Sequence, residues 1–271
     1  MILNAKNGTL QMNDAEMDYI SFGHGSKILI LIPGVGDGLM TVKGKAIPFA
    51  FLYRKYAKDY TVYVFSRRNR LPKEYSTKDM AADQAEAMKI LGIPKASIMG
   101  VSQGGMIAQH LAIDYPELVD KLVLVATLST ANETVRKVLN NWVAMAQDGN
   151  YKGIMVDTMK KSYSDRYVKH HRILFPLLGL VGKPASFERF LTQVNSCSTH
   201  DAHDRLDKIL VPTLIVGGSN DKIVDSASFP KIAEKIKNST LLIYEGLGHA
   251  VYDEAKDFNS KVMDFLSSDA G

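Results

Sequence analysis

Ser102 stands in the stretch Gly100-Val101-Ser102-Gln103-Gly104, with Gly105 next. Glycine weakens strands and helices alike, so three of them within six positions call for a reason. The stretch follows the apolar run 96–99 and opens the helical pattern 103–115. A strand that turns abruptly into a helix around a serine is the nucleophile elbow, which holds a hydroxyl out for reaction on a strained backbone. The helix N-terminus beneath it supplies unpaired N–H groups that favour developing negative charge.

A serine hydroxyl needs a base to take its proton. Of the seven histidines, His249 lies in the glycine-bearing loop 245–250, after the last apolar run. The base in turn needs a carboxylate to hold its tautomer. Asp221 follows the apolar run 213–217, and Asp225 is the alternative. The order Ser102, Asp221, His249 is the one that accompanies this elbow. The run 121–127 is followed by no acid, which favours Asp221. An oxyanion would need two N–H donors. Gln103 supplies one, and the loop Pro33-Gly34-Val35-Gly36 the other, with Val35 preferred over Gly34. Metal ligation is not expected: His200 and His203 lack helical i, i+4 spacing, and no cysteine joins them. They are read with Asp201 and Asp204 as a solvated helix start, and His110 as packed in its helix.

These residues need a frame to bring them together. Apolar runs rich in Ile, Val and Leu occur at 27–33, 61–66, 96–100, 121–127, 212–218 and 240–246. That is the composition of strands buried on both faces of a parallel sheet. Helical patterns at 78–91, 103–115, 226–237 and 254–267 alternate with them, which implies right-handed crossovers and helices on both faces. Residues 9–23 read as a leading hairpin turning at Asn13-Asp14. From Ser129 to Asp207 helical patterns run without a buried strand. The expected organisation is a core of 1–128 and 208–271, with 129–207 as a helical lid over the C-terminal edge of the sheet.

The chain of 271 residues, 46% hydrophobic and 23% charged, can build a sizeable core. Its net charge of +4 is scattered, unlike the clustered cations that nucleic-acid binding needs. The single Cys197 excludes an internal disulfide and fits a reducing compartment. The N-terminus lacks the basic start and apolar stretch of a secretory signal, and no run is long enough to span a bilayer. The expectation is a cytoplasmic protein without a membrane or nucleic-acid partner, a monomer or homodimer.

The segments 31–38, 98–127, 211–224 and 246–254 together resemble signatures of the α/β-hydrolase superfamily, in its lidded, esterase-like branch, and in family order. The resemblance implies an α/β-hydrolase fold with a mostly parallel sheet of about eight strands. It also implies a Ser–His–Asp triad and no organic cofactor. Two departures stand out. Pro33-Gly34 replaces a common His-Gly in the oxyanion loop, and 65–76 lacks the usual Asp and Arg-Gly pattern. In that second loop Arg67, with Arg68 and Arg70 nearby, is read as a rim residue able to bind a substrate carboxylate or phosphate. Gly34 and Trp142 are further substrate contacts. Met145, Met155, Met159, Phe175, Phe187 and Phe190 are candidates for an apolar pocket in the lid, and Cys197 an inert thiol. The expected activity is hydrolysis of small carboxylic esters. Lactones, thioesters, amides and carbon–carbon bonds are alternatives, and a non-catalytic small-molecule receptor is a further one.

Overall fold

The computed structural model describes residues 2–268. The chain opens with an antiparallel hairpin, β1 (Lys6–Gln11) and β2 (Glu16–Gly23). Its four-residue connection closes with a hydrogen bond from Met12 N–H to the Ala15 carbonyl, 2.8 Å. The rest of the sheet consists of β3 (Lys27–Ile32), β4 (Tyr60–Arg68), β5 (Ala96–Val101), β6 (Val119–Val125), β7 (Thr213–Gly218) and β8 (Ser239–Tyr244). Strand order is β1-β2-β4-β3-β5-β6-β7-β8, parallel from β4 onward. β5 and β6 are buried almost end to end because helices cover both faces.

The connecting helices are α1 (Ala46–Leu52), α2 (Thr77–Ile90) and α3 (Gln103–Asp114). Next come α4 (Glu133–Gln147), α5 (Tyr151–Ser162), α6 (Asp165–His171) and α7 (Glu188–Ser198). α8 (Ser228–Lys235), α9 (Val251–Glu254) and α10 (Phe258–Ser267) finish the chain. α2 begins with a capping box in which Ser76 and Asp79 satisfy each other's backbone N–H groups. Two helices depart from the sequence pattern. α1 carries Pro48 in its first turn, where the missing N–H costs no hydrogen bond, so the proline is no barrier to a helix. The segment expected as one helix over 254–267 is interrupted, because Ala255 is extended (ψ 112°), ending α9 at Glu254, and α10 starts only at Phe258 after its N-cap Asp257.

Between β6 and β7 the chain runs through α4 to α7 without joining the sheet. The two ends of this helical segment are tied at its base. Ala131 N–H donates to the His200 carbonyl (3.0 Å) and Ala202 N–H to that of Ser129 (2.8 Å). No helix among the described residues is long and apolar enough to cross a membrane.

Candidate active site

β5 ends in a turn whose geometry the glycines make possible. A Cβ on Gly100 would lie 2.3 Å from the Gly104 carbonyl oxygen, and one on Gly104 would lie 1.9 Å from that of Ile32. Only hydrogen fits at either place. Ser102 sits at the turn with φ 54° and ψ −118°, a strained conformation for a residue with a side chain. Its carbonyl accepts from Thr127 Oγ1 (2.8 Å), and its N–H donates to Val125 (2.9 Å). A serine at a helix N-terminus ordinarily folds its hydroxyl back onto the first amides. Here the side chain makes no such bond, leaving the hydroxyl facing the cavity.

β7 and β8 are parallel neighbours, and the loops leaving their C-terminal ends are bonded to each other. Asn220 N–H donates to Leu247 (2.9 Å) and Gly246 N–H to Ser219 Oγ (2.9 Å). This pairing sets His249 Nδ1 2.8 Å from Asp221 Oδ2. The other carboxylate oxygen accepts the N–H groups of Ile223 (2.8 Å) and Val224 (3.0 Å), so Asp221 cannot rotate away. Both side chains are buried. Asp225 is turned to its own loop, accepting from Ala227 N–H (3.1 Å), and has no bond to His249.

Ser102 and His249 line one cavity of about 390 Å³ between the sheet edge and the helical segment. Gly34 and Val35 form its wall, and a Cβ on Gly34 would come within 3.3 Å of Ser102 Cβ. Among the described residues, neither the Val35 nor the Gln103 N–H donates to another group of the protein. These amides, one opening the short turn Val35–Gly38 and the other opening α3, are free for an anion. The opposite wall carries Trp142, Met155 and Phe190, with Tyr151 and Ile154. Trp142 is fixed by donation from Nε1 to Asp157 Oδ2 at 2.8 Å. Of the other lid candidates, Met145 and Phe187 pack on the core, and Phe175 faces a groove on the far side. An imidazole oriented by a carboxylate, beside an unbonded serine hydroxyl and two free amides, can transfer a proton while stabilising negative charge.

Arg67 is not where the sequence reading puts it. β4 continues through Arg68, so Arg67 lies inside the sheet and is fully buried, away from the cavity wall. Its Nη2 donates to the Pro33 carbonyl (2.5 Å) and to Gln103 Oε1 (2.8 Å). Arg68 takes the outward position and pairs with Asp83 (2.6 Å) and Asp14 (2.9 Å). The charge that permits this burial is Asp37. Its carboxylate accepts from Arg189 Nη2 (2.7 Å), the Arg67 backbone N–H (3.1 Å) and Gln193 Nε2 (3.3 Å). Burial, the largest single influence, would raise the Asp37 pKa, but the guanidinium groups of Arg189 and Arg67, together with hydrogen bonds from Ser66 and the Arg67 N–H, hold the carboxyl below its ordinary value. Asp37, Arg189 and Gln193 were not singled out from sequence; an aspartate inside the glycine-rich loop 34–38 was the available signal.

His200 is also unlike its expected solvated position. It is buried, with Nδ1 2.9 Å from Thr77 Oγ1 and its ring against His110, centroids 5.2 Å apart. Burial pushes these pKa values down, to about 3 for His200 and about 4 for His110. His203 Nδ1 lies 3.0 Å from Ser129 Oγ. Among the described residues no group of three or more His, Cys, Asp or Glu side chains is arranged to hold a metal ion. Burial pushes the Cys197 thiol up to about 12.

Known proteins share this arrangement of chain. The family model of the alpha/beta hydrolase fold matches residues 27–170 and 189–256, and the chain belongs to that family. A 2-hydroxy-6-oxononadienedioate/2-hydroxy-6-oxononatrienedioate hydrolase from a Pseudomonas species is 24% identical over 278 residues, covering 96% of this chain and 93% of the relative. An alpha/beta hydrolase enzyme from a Medee basin deep-sea metagenome library superposes with a TM-score of 0.86 at 20% identity, over 97% of this chain and 98% of that one. The enol-lactonase from Burkholderia xenovorans LB400 does so with a TM-score of 0.82 at 16% identity, over 96% and 100%. At these identities the two solved structures speak to the fold.

Proposed function

We propose that the protein is a serine hydrolase that cleaves small carboxylic esters through an acyl-enzyme. The observation that carries this reading is Ser102: a strained residue with a free hydroxyl, in the same cavity as a histidine anchored to a buried carboxylate. Ser102 Oγ attacks the ester carbonyl as His249 Nε2 takes its proton. Asp221 holds the proton on Nδ1 and stabilises the imidazolium. The new C–O bond places the carbonyl electrons on oxygen, toward the amides of Val35 and Gln103. Collapse of the tetrahedral species expels the alkoxide, which takes the proton from His249. Water, deprotonated by the same imidazole, then releases the carboxylic acid and restores the serine.

The apolar wall of Trp142, Met155 and Phe190 suits a short acyl or alkyl group, and Gly34 lets it approach the serine closely. Lactones are cyclic esters and need no other machinery, and the likeness to an enol-lactonase favours including them. A panel of p-nitrophenyl esters of increasing chain length, with lactones, thioesters and amides, tests the reading beside Ser102→Ala. Labelling by a fluorophosphonate probe should occur in the wild type and be lost in that variant. Equal labelling of Ser102→Ala, or none of the wild type, defeats it.

A further inference from the structure

Arg67 is a fully buried guanidinium whose hydrogen bonds go to neutral acceptors. Burying such a charge is costly unless it is compensated, so its placement calls for an explanation. Asp37 balances the charge, but its Oδ2 accepts the Arg67 backbone N–H and the side chains of Arg189 and Gln193 rather than the Arg67 guanidinium. The Arg67 Nη2 group is left to join two other residues: Pro33, through its carbonyl, and Gln103, through Oε1.

These two acceptors belong to the two segments that present the free amides. The Pro33 carbonyl lies in the peptide that enters Gly34, and Gly34 carries the chain into the Val35 amide at φ −71° and ψ −173°. With no Cβ at Gly34 or Gly36, the loop has little steric definition of its own. Gln103 supplies the other amide, and its side chain is held at both ends. Oε1 accepts from Arg67, while Nε2 donates to the Gln193 carbonyl (2.8 Å) and Ser196 Oγ (3.0 Å) of α7. One nitrogen therefore ties the loop after β3 to the first residue of α3.

We propose that Arg67 is a positioning residue that holds the Val35 and Gln103 amides at the spacing an oxyanion requires. It touches no substrate and acts through the backbone of its two acceptors. The inference rests on the serine-hydrolase reading above. Because the oxyanion forms in the tetrahedral species and its flanking transition states but not in the bound ester, a positioning defect lowers kcat and leaves KM nearly unchanged.

The test uses Arg67→Lys, which keeps the charge opposite Asp37 but not the planar fork, together with Gln103→Met and Gln103→Glu. Hydrolysis of p-nitrophenyl butyrate is measured beside inhibition by a phenylboronic acid, which forms a tetrahedral anion on a nucleophilic serine. Loss of an oxyanion donor costs about 10²–10³ in kcat, and a displaced donor should cost somewhat less, roughly 10–10². Arg67→Lys and Gln103→Met should show that loss in kcat with KM within about twofold, and lose boronate affinity by the same factor as kcat/KM. Gln103→Glu keeps an acceptor for Arg67 but gives up the donor to the Gln193 carbonyl, and should recover part of the rate lost in Gln103→Met. A role confined to stability would lower the melting temperature and leave kcat and boronate affinity unchanged in the folded fraction. Folded Arg67→Lys with wild-type kcat, or a change in KM alone, overturns the inference; if that variant does not fold, Gln103→Met decides it on the same readings. An inert wild type brings down the serine-hydrolase reading and this inference with it, whereas an active wild type with unaffected variants overturns the inference alone.

Discussion

Two buried carboxylates flank Ser102 at the C-terminal edge of the sheet, and they are used differently. Asp221, in the loop after β7, is bonded to an imidazole that lines the cavity. Asp37, in the loop after β3, is bonded to guanidinium and amide groups that tie the body to α7. The partner decides the use. An imidazole can accept and release a proton, while a guanidinium stays charged and serves as a fixed field and a fixed fork. On the proposed reading, one side of the serine moves a proton and the other holds backbone still.

That contrast is open to attack at both ends. The largest effect should follow from the imidazole side. His249→Ala should lower ester turnover about 10³-fold or more while the melting temperature stays close to that of the wild type. Near-normal turnover would place the base elsewhere. On the guanidinium side the main loss should be in stability. Asp37→Asn leaves the buried Arg67 and the half-buried Arg189 without a counter-charge, and urea unfolding should show a loss of about 3–5 kcal/mol. Joining it with Arg189→Met should return part of that loss, and a cost under about 1 kcal/mol for Asp37→Asn would contradict the assigned charge balance.

Acid titration separates a third group, the buried histidine pair, from both carboxylates. The folded pKa of His200 is depressed to about 3 and that of His110 to about 4, against 6.5 as the ordinary value. Below pH 6.5 the unfolded chain therefore binds protons that the folded chain refuses. Stability is full above 6.5 and falls with pH through that window until the folded values are reached. Asp37, depressed from 3.8, adds its own loss only as pH falls below that value. The melting temperature should thus drop between pH 6.5 and 4, with a shallower slope in His200→Gln; an unchanged slope would remove the pair from the account. The smallest expected effect is on selectivity. Trp142→Ala should enlarge the cavity and shift the ratio of kcat/KM between long and short acyl esters by about tenfold, the worth of about one methylene in an apolar pocket. An unaltered ratio would place the acyl group against another wall.

Much of the frame was legible because it is periodic. Six runs of Ile, Val and Leu and one hairpin gave eight strands, and each appears in the sheet. Gly100 and Gly104 marked the elbow because no side chain fits there, a constraint that composition alone carries. The split between α9 and α10 and the short α1 were missed, since Ala255 is not a helix breaker and Pro48 reads as one. Arg67 was misplaced for a different reason. Three arginines in four positions read as a loop on the rim of the site, and only the extension of β4 to Arg68 assigns one outward and one inward.

The sequence by itself determined what depends on neighbours along the chain: the alternation of strands and helices, the strained turn at Ser102, and the residue types fit for nucleophile, base and acid. Tertiary structure alone decided what depends on distance between remote segments. It brought Nδ1 of His249 within 2.8 Å of Asp221, and it set Asp37 between arginines from β4 and α7. The physical reason is that a buried charge is tolerated only beside its partner, and a partner 152 residues away in the chain leaves no local pattern to read.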